Sequence, residues 1–166
     1  MHLNEKELEV LRIIEKNSRI EVQDLAKMTS LPEEEIGITL KKLEDMRVIV
    51  RYSTIINWAK VDEHTGVTAM IEVKVTPKRD VGFEEVAKRI YRFKEVESVY
   101  LMSGAYDLAV YVEAGSMNEI AKFVYERLSA LDSVVSTATH FILKKYKHDG
   151  TIFEDTDQDK RIVVSP

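Results

Sequence analysis

Val96-Glu97-Ser98-Val99-Tyr100-Leu101-Met102-Ser103-Gly104-Ala105-Tyr106-Asp107-Leu108-Ala109-Val110-Tyr111-Val112-Glu113 is the stretch that decides the fold of this 166-residue chain. Two β-rich runs, Val96 to Ser103 and Tyr106 to Val112, flank Gly104-Ala105, so the segment reads as a hairpin. In the second run Tyr106, Leu108, Val110 and Val112 alternate with Asp107, Ala109, Tyr111 and Glu113, the period of a half-buried strand.

Upstream, Phe83, Val86, Ala87 and Ile90 recur at helical spacing. Before them Val67, Ala69, Ile71, Val73 and Val75 alternate with Thr68, Met70, Glu72 and Lys74 until Pro77. Downstream, Ser116 and Glu119 have capping-box spacing, and Met117, Ile120, Ala121, Val124, Leu128 and Leu131 mark a second helix. Val134 to Tyr146 then reads as a long fourth strand. The order β-α-β-β-α-β is the ferredoxin-like arrangement. Both helices cover one face of the sheet. The other face, read as carrying Asp107, Ala109 and Tyr111, needs a partner, which predicts an oligomer.

The first 58 residues follow a helical period instead. Asn4 caps a helix carrying Leu8, Val10, Leu11 and Ile14 to about Lys16; a second covers about Val22 to Met28. Thr29-Ser30-Leu31 turns the chain, and Pro32 opens a third helix lined by Ile36, Leu40 and Leu43. Val48 to Ile56 reads as a trailing strand. Three helices with a short turn between the last two form the helix-turn-helix plan; the alternative is a small helical bundle used for protein contact.

Charge does not decide between them. The chain carries a net charge of -5, and its first 60 residues hold ten basic against eleven acidic side chains. DNA binding by such a head must come from local placement of cations, since phosphate neutralisation supplies most non-specific affinity. The absence of cysteine excludes disulfides, thiolate metal sites and a cysteine nucleophile. No apolar run approaches the roughly 18 residues that span a membrane, and the start, Met1-His2-Leu3-Asn4-Glu5, has no signal-peptide pattern. These features suit a cytoplasmic protein without membrane contact. The four histidines are too scattered for a metal motif, no glycine-rich phosphate loop occurs, and no nucleophile elbow is present. No metal, no cofactor and no enzymatic activity are expected.

Taken in order, the two modules resemble the Lrp/AsnC, or feast/famine, family of transcriptional regulators. The resemblance covers about residues 3–148. In the head it rests on Leu3 through Ile14, Asn17-Ser18-Arg19-Ile20, Asp24-Leu25-Ala26, Leu43-Glu44 and Val48-Ile49-Val50-Arg51-Tyr52. In the body it rests on Ser103-Gly104-Ala105-Tyr106-Asp107-Leu108 and Thr137-Ala138-Thr139-His140-Phe141-Ile142-Leu143. It implies an α+β chain in which an N-terminal winged-type helix-turn-helix is joined to a C-terminal ferredoxin-like βαββαβ ligand-sensing domain. The implied organisation is a DNA-binding head over 1–58, a linker at 59–66, an oligomerisation and effector domain at 67–147, and an acidic tail at 148–166. The tail's Ile162-Val163-Val164 is expected as a short edge strand. The implied partners are double-stranded DNA, an amino acid or related small molecule, and copies of the chain, as dimers assembling to octamers. The alternative is a ligand-binding oligomeric interaction module with little DNA affinity. Sirohaem decarboxylases share the two-module plan, but no haem-handling His/Arg cluster is visible.

The recognition helix departs from the family pattern. Pro32 stands at the cap, Glu33-Glu34-Glu35 fill the first turn, and Ile38-Thr39 replace a basic pair. Carboxylates at a helix N-terminus complement the macrodipole, and a glutamate can also accept a hydrogen bond from cytosine N4. The expected phosphate contacts are Arg19, Lys41, Lys42 and Arg51, with Gly37 and Thr39 as points of close groove approach. For the effector, a free amino acid wants N–H donors at one end and a carboxylate at the other. Ser103, Gly104, Ala105 and Tyr106 form a turn able to expose N–H groups, and Asp107 supplies the anion; a plain hairpin turn is the other reading. The resemblance adds His140, Phe141 and Ile142 to that site.

Overall fold

The computed structural model describes residues 2–63, 66–76 and 82–153. The chain divides between Ile56 and Asn57 into two compact units, each with its own core. The expected acidic run at 154–159 and the strand at 162–164 lie outside the described residues, as does Pro77.

Helix α1 (Glu5–Lys16) begins in a reciprocal cap. Asn4 Oδ1 accepts the Glu7 amide at 2.8 Å, and the Glu7 carboxylate accepts the Asn4 amide at 2.9 Å. Helices α2 (Val22–Thr29) and α3 (Glu33–Asp45) follow. Val10, Ile14, Leu25, Ala26, Ile36 and Leu43 meet in the core of the head. The turn between α2 and α3 is made by Ser30 in the left-handed region, at φ 55° and ψ 36°. That geometry lets the Leu31 amide reach back to the Ala26 carbonyl. Arg47, at φ 54°, ends α3 in a similar way, and the Val48 and Ile49 amides both donate to the Leu43 carbonyl.

The strand expected over 48–56 does not form. A strand exists through its ladder, and among the described residues none runs beside this segment. It is held instead by side chains: Ser18 Oγ donates to the Ser53 carbonyl, and the Tyr52 hydroxyl donates to Glu44 at 2.8 Å. Partial burial, then the Glu44 carboxylate, push the Tyr52 phenol up to about 12. Val50, Ile55 and Ile56 stay exposed.

In the second unit β1 (Val67–Val75), α4 (Phe83–Ile90), β2 (Val96–Leu101), β3 (Leu108–Ala114), α5 (Met117–Phe123) and β4 (Val134–Phe141) give the βαββαβ order. The strands form one antiparallel sheet in the order β2-β3-β1-β4. Ala69, Ile71, Val73, Leu108, Val110 and Val112 face Val86, Ile90, Ile120, Phe123 and Leu128 of the helical layer. The second helix was expected to run unbroken to Leu131. It passes instead into a π turn at Val124–Leu128. An α-helix would rotate Leu128 well away from Phe123; the wider turn keeps both buried.

Register places Met70, Glu72, Tyr100, Ala109, Tyr111, Ala138 and His140 on the face without helices. Tyr100 and Tyr111 pack edge to face there, with ring centroids 5.9 Å apart. Two residues expected to be open on this face are not. Ala109, between Glu72 and Tyr100 in register, is only 4% exposed, and Asp107 precedes β3 and turns toward the end of β1. The fourth strand stops at Phe141 rather than Tyr146, and a hairpin follows, β5 (Lys147–His148) to β6 (Thr151–Ile152). Asp149 and Gly150 turn it with φ of 45° and 76°, the paired positive angles that suit a tight hairpin.

A non-glycine residue in the left-handed region carries a penalty of about 1–2 kcal/mol, partly offset in glycine by its larger unfolded-state entropy. Ser30→Gly is therefore expected to raise the stability of the head by about 0.5–1 kcal/mol. A higher urea midpoint for loss of helical signal checks this; an unchanged or lower midpoint contradicts it.

Candidate functional site

On the head, the residues of α3 divide between an inner side and an exposed outward face. Ile36 and Leu43 are buried and Leu40 half-buried, so they mark the inner side, with the half-buried Thr39 on its flank. Opposite them lie Glu34, Gly37, Ile38, Lys41 and Asp45, all exposed. Lys42 stands between the two and is already engaged: its ammonium donates to Glu7 Oε1 on α1. The Glu7 residue is only 6% exposed. The Lys42 bond, then the Asn4 amide, hold the Glu7 carboxyl below its ordinary value, against the opposing effect of burial.

The six residues expected at DNA therefore separate. Gly37 and Lys41 share the outward face of α3, and a Cβ at Gly37 would meet nothing within 4 Å. Thr39 is turned toward the flank, and Lys42 fastens α3 to α1. Arg19, in the turn after α1, and Arg51, beyond α3, are both exposed. Ile38 was not among the expected contacts, yet it is 64% exposed at the centre of the outward face. Its signal was present in the helical period, which sets it opposite Ile36 and Leu43. The three first-turn glutamates are exposed, and no side chain caps the helix at Pro32, so they complement the unpaired amides at its start.

In the body, Ser103, Gly104 and Ala105 form an exposed turn between β2 and β3, with Tyr106 half-buried. Gly104 has a φ of 155° and open space where a side chain would stand. Asp107 closes the turn from both sides. Its carbonyl accepts the Met102 amide at 2.8 Å, its amide donates to the Val73 carbonyl, and its Oδ2 accepts the Val75 amide at 2.8 Å. The ladder between β1 and β3 ends at Val73 and Leu108, and the carboxylate takes the Val75 amide just beyond that end.

His140, Phe141 and Ile142 lie elsewhere. His140 is opposite Met70, Phe141 opposite Ala69, and the Ile142 amide donates to the Thr68 carbonyl. Asp107 meets β1 at Val73 and Val75. Five residues along a strand are about 16 Å, so one chain does not bring the two groups together. His140 Nε2 is 3.2 Å from Glu72 Oε1 on the face without helices, while Phe141 packs against the core on the other side. A groove of about 530 Å³ opens elsewhere, lined in part by Lys94, Lys122, Phe123 and Arg127. Arg127 donates to both oxygens of Glu95 at 2.9 Å and lies over the Phe93 ring. Among the described residues no helix is long and apolar enough to cross a membrane, and no three His, Asp or Glu side chains gather as a metal site would need.

A family model described as the Lrp/AsnC ligand binding domain matches residues 68–152, and one described as winged helix-turn-helix DNA-binding matches residues 3–50. The chain is 63% identical over 166 residues to the uncharacterized HTH-type transcriptional regulator YugG of Bacillus subtilis (strain 168), covering all of both chains. It is 27% identical over 149 residues to the proline dehydrogenase transcriptional activator of Rhizobium radiobacter, covering 89% of this chain and 94% of that one. Among solved structures, a transcriptional regulator of Neisseria meningitidis in complex with L-Met matches with a TM-score of 0.71 at 24% identity, over 89% of this chain and 94% of that one. AsnC of E. coli matches with a TM-score of 0.69 at 18% identity, over 93% and 100%.

The Glu7–Lys42 pair gives the head an acid limb. Because the folded-state value of Glu7 is lowered, the contribution of the pair is whole above the ordinary value of 4.5. It declines as pH falls below that value and is gone under the folded-state value. Glu7→Gln is expected to flatten this limb in helical melts recorded between neutral and acid pH, whereas Lys42→Ala lowers stability at neutral pH by leaving a buried carboxylate without its cation. A Glu7→Gln variant with an unchanged acid limb contradicts this.

Proposed function

This chain belongs to the Lrp/AsnC family of transcriptional regulators, and on that premise we propose that the effector controlling it is an amino acid. It is a DNA-binding regulator with a winged helix-turn-helix head and a ligand-binding body. The observation that carries the effector reading is the Gly104 turn with Asp107 behind it. Exposed backbone at Ser103 to Ala105 suits a carboxylate, and the Asp107 carboxylate suits an ammonium. One Asp107 oxygen is engaged by the Val75 amide, so the second is the one an ammonium would take. The L-Met complex of the Neisseria meningitidis regulator, alike in fold, supports the same ligand class.

In this reading His140, Phe141 and Ile142 complete the site from a second copy, since a single chain keeps them about 16 Å of strand away. The protein then works as a dimer that assembles further to octamers, and the helix-free face with Met70, Tyr100 and Tyr111 is the surface that closes on assembly. Gly37, Thr39, Lys41, Arg19 and Arg51 are the proposed DNA contacts, with Lys42 kept to its structural pairing. The protein acts in the cytoplasm by binding rather than by catalysis.

A thermal-shift series over the common amino acids at millimolar concentration tests the effector. One or a few are expected to raise the transition by mass action. Ala105→Glu, at an exposed position, should abolish that rise while leaving the ligand-free transition in place. If no amino acid moves the transition, the effector reading falls.

The DNA contacts are checked through salt. Lys41→Ala is expected to reduce the slope of log affinity against log salt by about 0.9, the loss of one phosphate contact. An unchanged slope would remove Lys41 from the interface.

A further inference from the structure

We propose that Ile38 reads thymine in the bound DNA through the C5-methyl group. The inference rests on the chain binding duplex DNA through α3, and it adds what that helix recognises. The outward face of α3 holds one large apolar side chain, Ile38, 64% exposed, with Glu34 one turn before it and Lys41 one turn after. Burial in the head does not explain it, because Ile36, Leu40 and Leu43 serve the core from the opposite side. Gly37 lies next to it with open space where a Cβ would stand, so the helix backbone can approach a groove floor closely at this point.

The chemistry of the groove selects the partner. A duplex offers one methyl group on its major-groove edges, that of thymine; apart from small C–H groups such as cytosine C5–H, the other features there are hydrogen-bond donors or acceptors. An isoleucine can neither donate nor accept, so over any other base edge it would desolvate polar atoms without replacing their hydrogen bonds. Glu34 and Lys41 sharpen this. The acid accepts only and the ammonium donates only, and their opposite charges leave the middle of the face without a net pull on phosphate. Contact at Ile38 therefore contributes discrimination rather than general attraction.

The test uses the full-length protein and a duplex selected by it from a random pool. Each thymine is replaced singly by deoxyuridine, which removes the C5-methyl and nothing else. Wild type is expected to bind about three- to fivefold more weakly at one or two thymines per half-site, as burial of a single methyl implies. Ile38→Ala should bind the thymine and uracil forms equally at those positions, with an unchanged melting transition because the side chain is exposed. A wild type indifferent to uracil at every position overturns the proposal, as does an Ile38→Ala variant that keeps the full preference for thymine. If Ile38→Ala alters sedimentation of the free protein, the residue is a contact between copies and the proposal falls. A pool that yields no bound duplex overturns DNA binding through α3 itself, a failure distinct from a bound duplex that ignores uracil.

Discussion

A four-stranded sheet that, among the described residues of its unit, is covered by helices on one face only is the constraint from which the rest of the body follows. β1 runs through the middle of that sheet, paired with β3 on one side and β4 on the other. Its inward residues Ala69, Ile71 and Val73 are fully buried. Among the described residues of this unit, no second layer lies over its outward residues. Met70, the Tyr100–Tyr111 pair and the Glu72–His140 contact make that face neither a core nor an ordinary polar surface. A face of this kind is completed by another copy. In the proposed assembly the same contact that covers the sheet also unites the two halves of the effector site, so oligomerisation and ligand binding have one structural cause.

Asp107 links that site to the fold. The β1–β3 ladder ends at Val73 and Leu108, which leaves the Val75 amide beyond it without a regular ladder partner, and a buried unpaired amide costs about 1–3 kcal/mol. The Asp107 side chain supplies the acceptor from the neighbouring turn. One carboxylate therefore seals the end of the central strand and stands behind the exposed Gly104 turn. An effector that engages it acts on a group already tied to β1.

Much of this was legible in the residues. The alternation at Val67–Val75 gave the first strand with its observed ends, and the 3.6-residue spacing gave α4 and the three helices of the head. The trailing strand at 48–56 was misread because β-propensity describes a surface that fits a ladder without saying where the partner strand is. The exposure of Ala109 was misread for a related reason: a small side chain between Glu72 and Tyr100 is covered by its neighbours whichever face it is on. Alternation could not show that Asp107 faces Val75, since the contact joins residues 32 apart through a turn. Nor could spacing show the Lys42–Glu7 pair, which joins two helices across 35 residues.

That pair changes how the head reads as a charged object. Counting basic residues on α3 gives two, Lys41 and Lys42, but a lysine bound to a buried glutamate contributes structure rather than field. The outward face of the helix then carries Glu34 and Asp45 against Lys41 alone. Such a face cannot hold a polyanion by attraction, because each phosphate contact depends on a cation able to release counterions. Arg19 and Arg51 lie outside the helix, at the turn after α1 and beyond α3, where contacts to backbone phosphates do not depend on sequence. In the proposed DNA contact, affinity and discrimination fall to different parts of the head: cations at its margins and, when copies assemble, in several heads at once, with the nearly neutral centre of α3 left to distinguish one base edge from another.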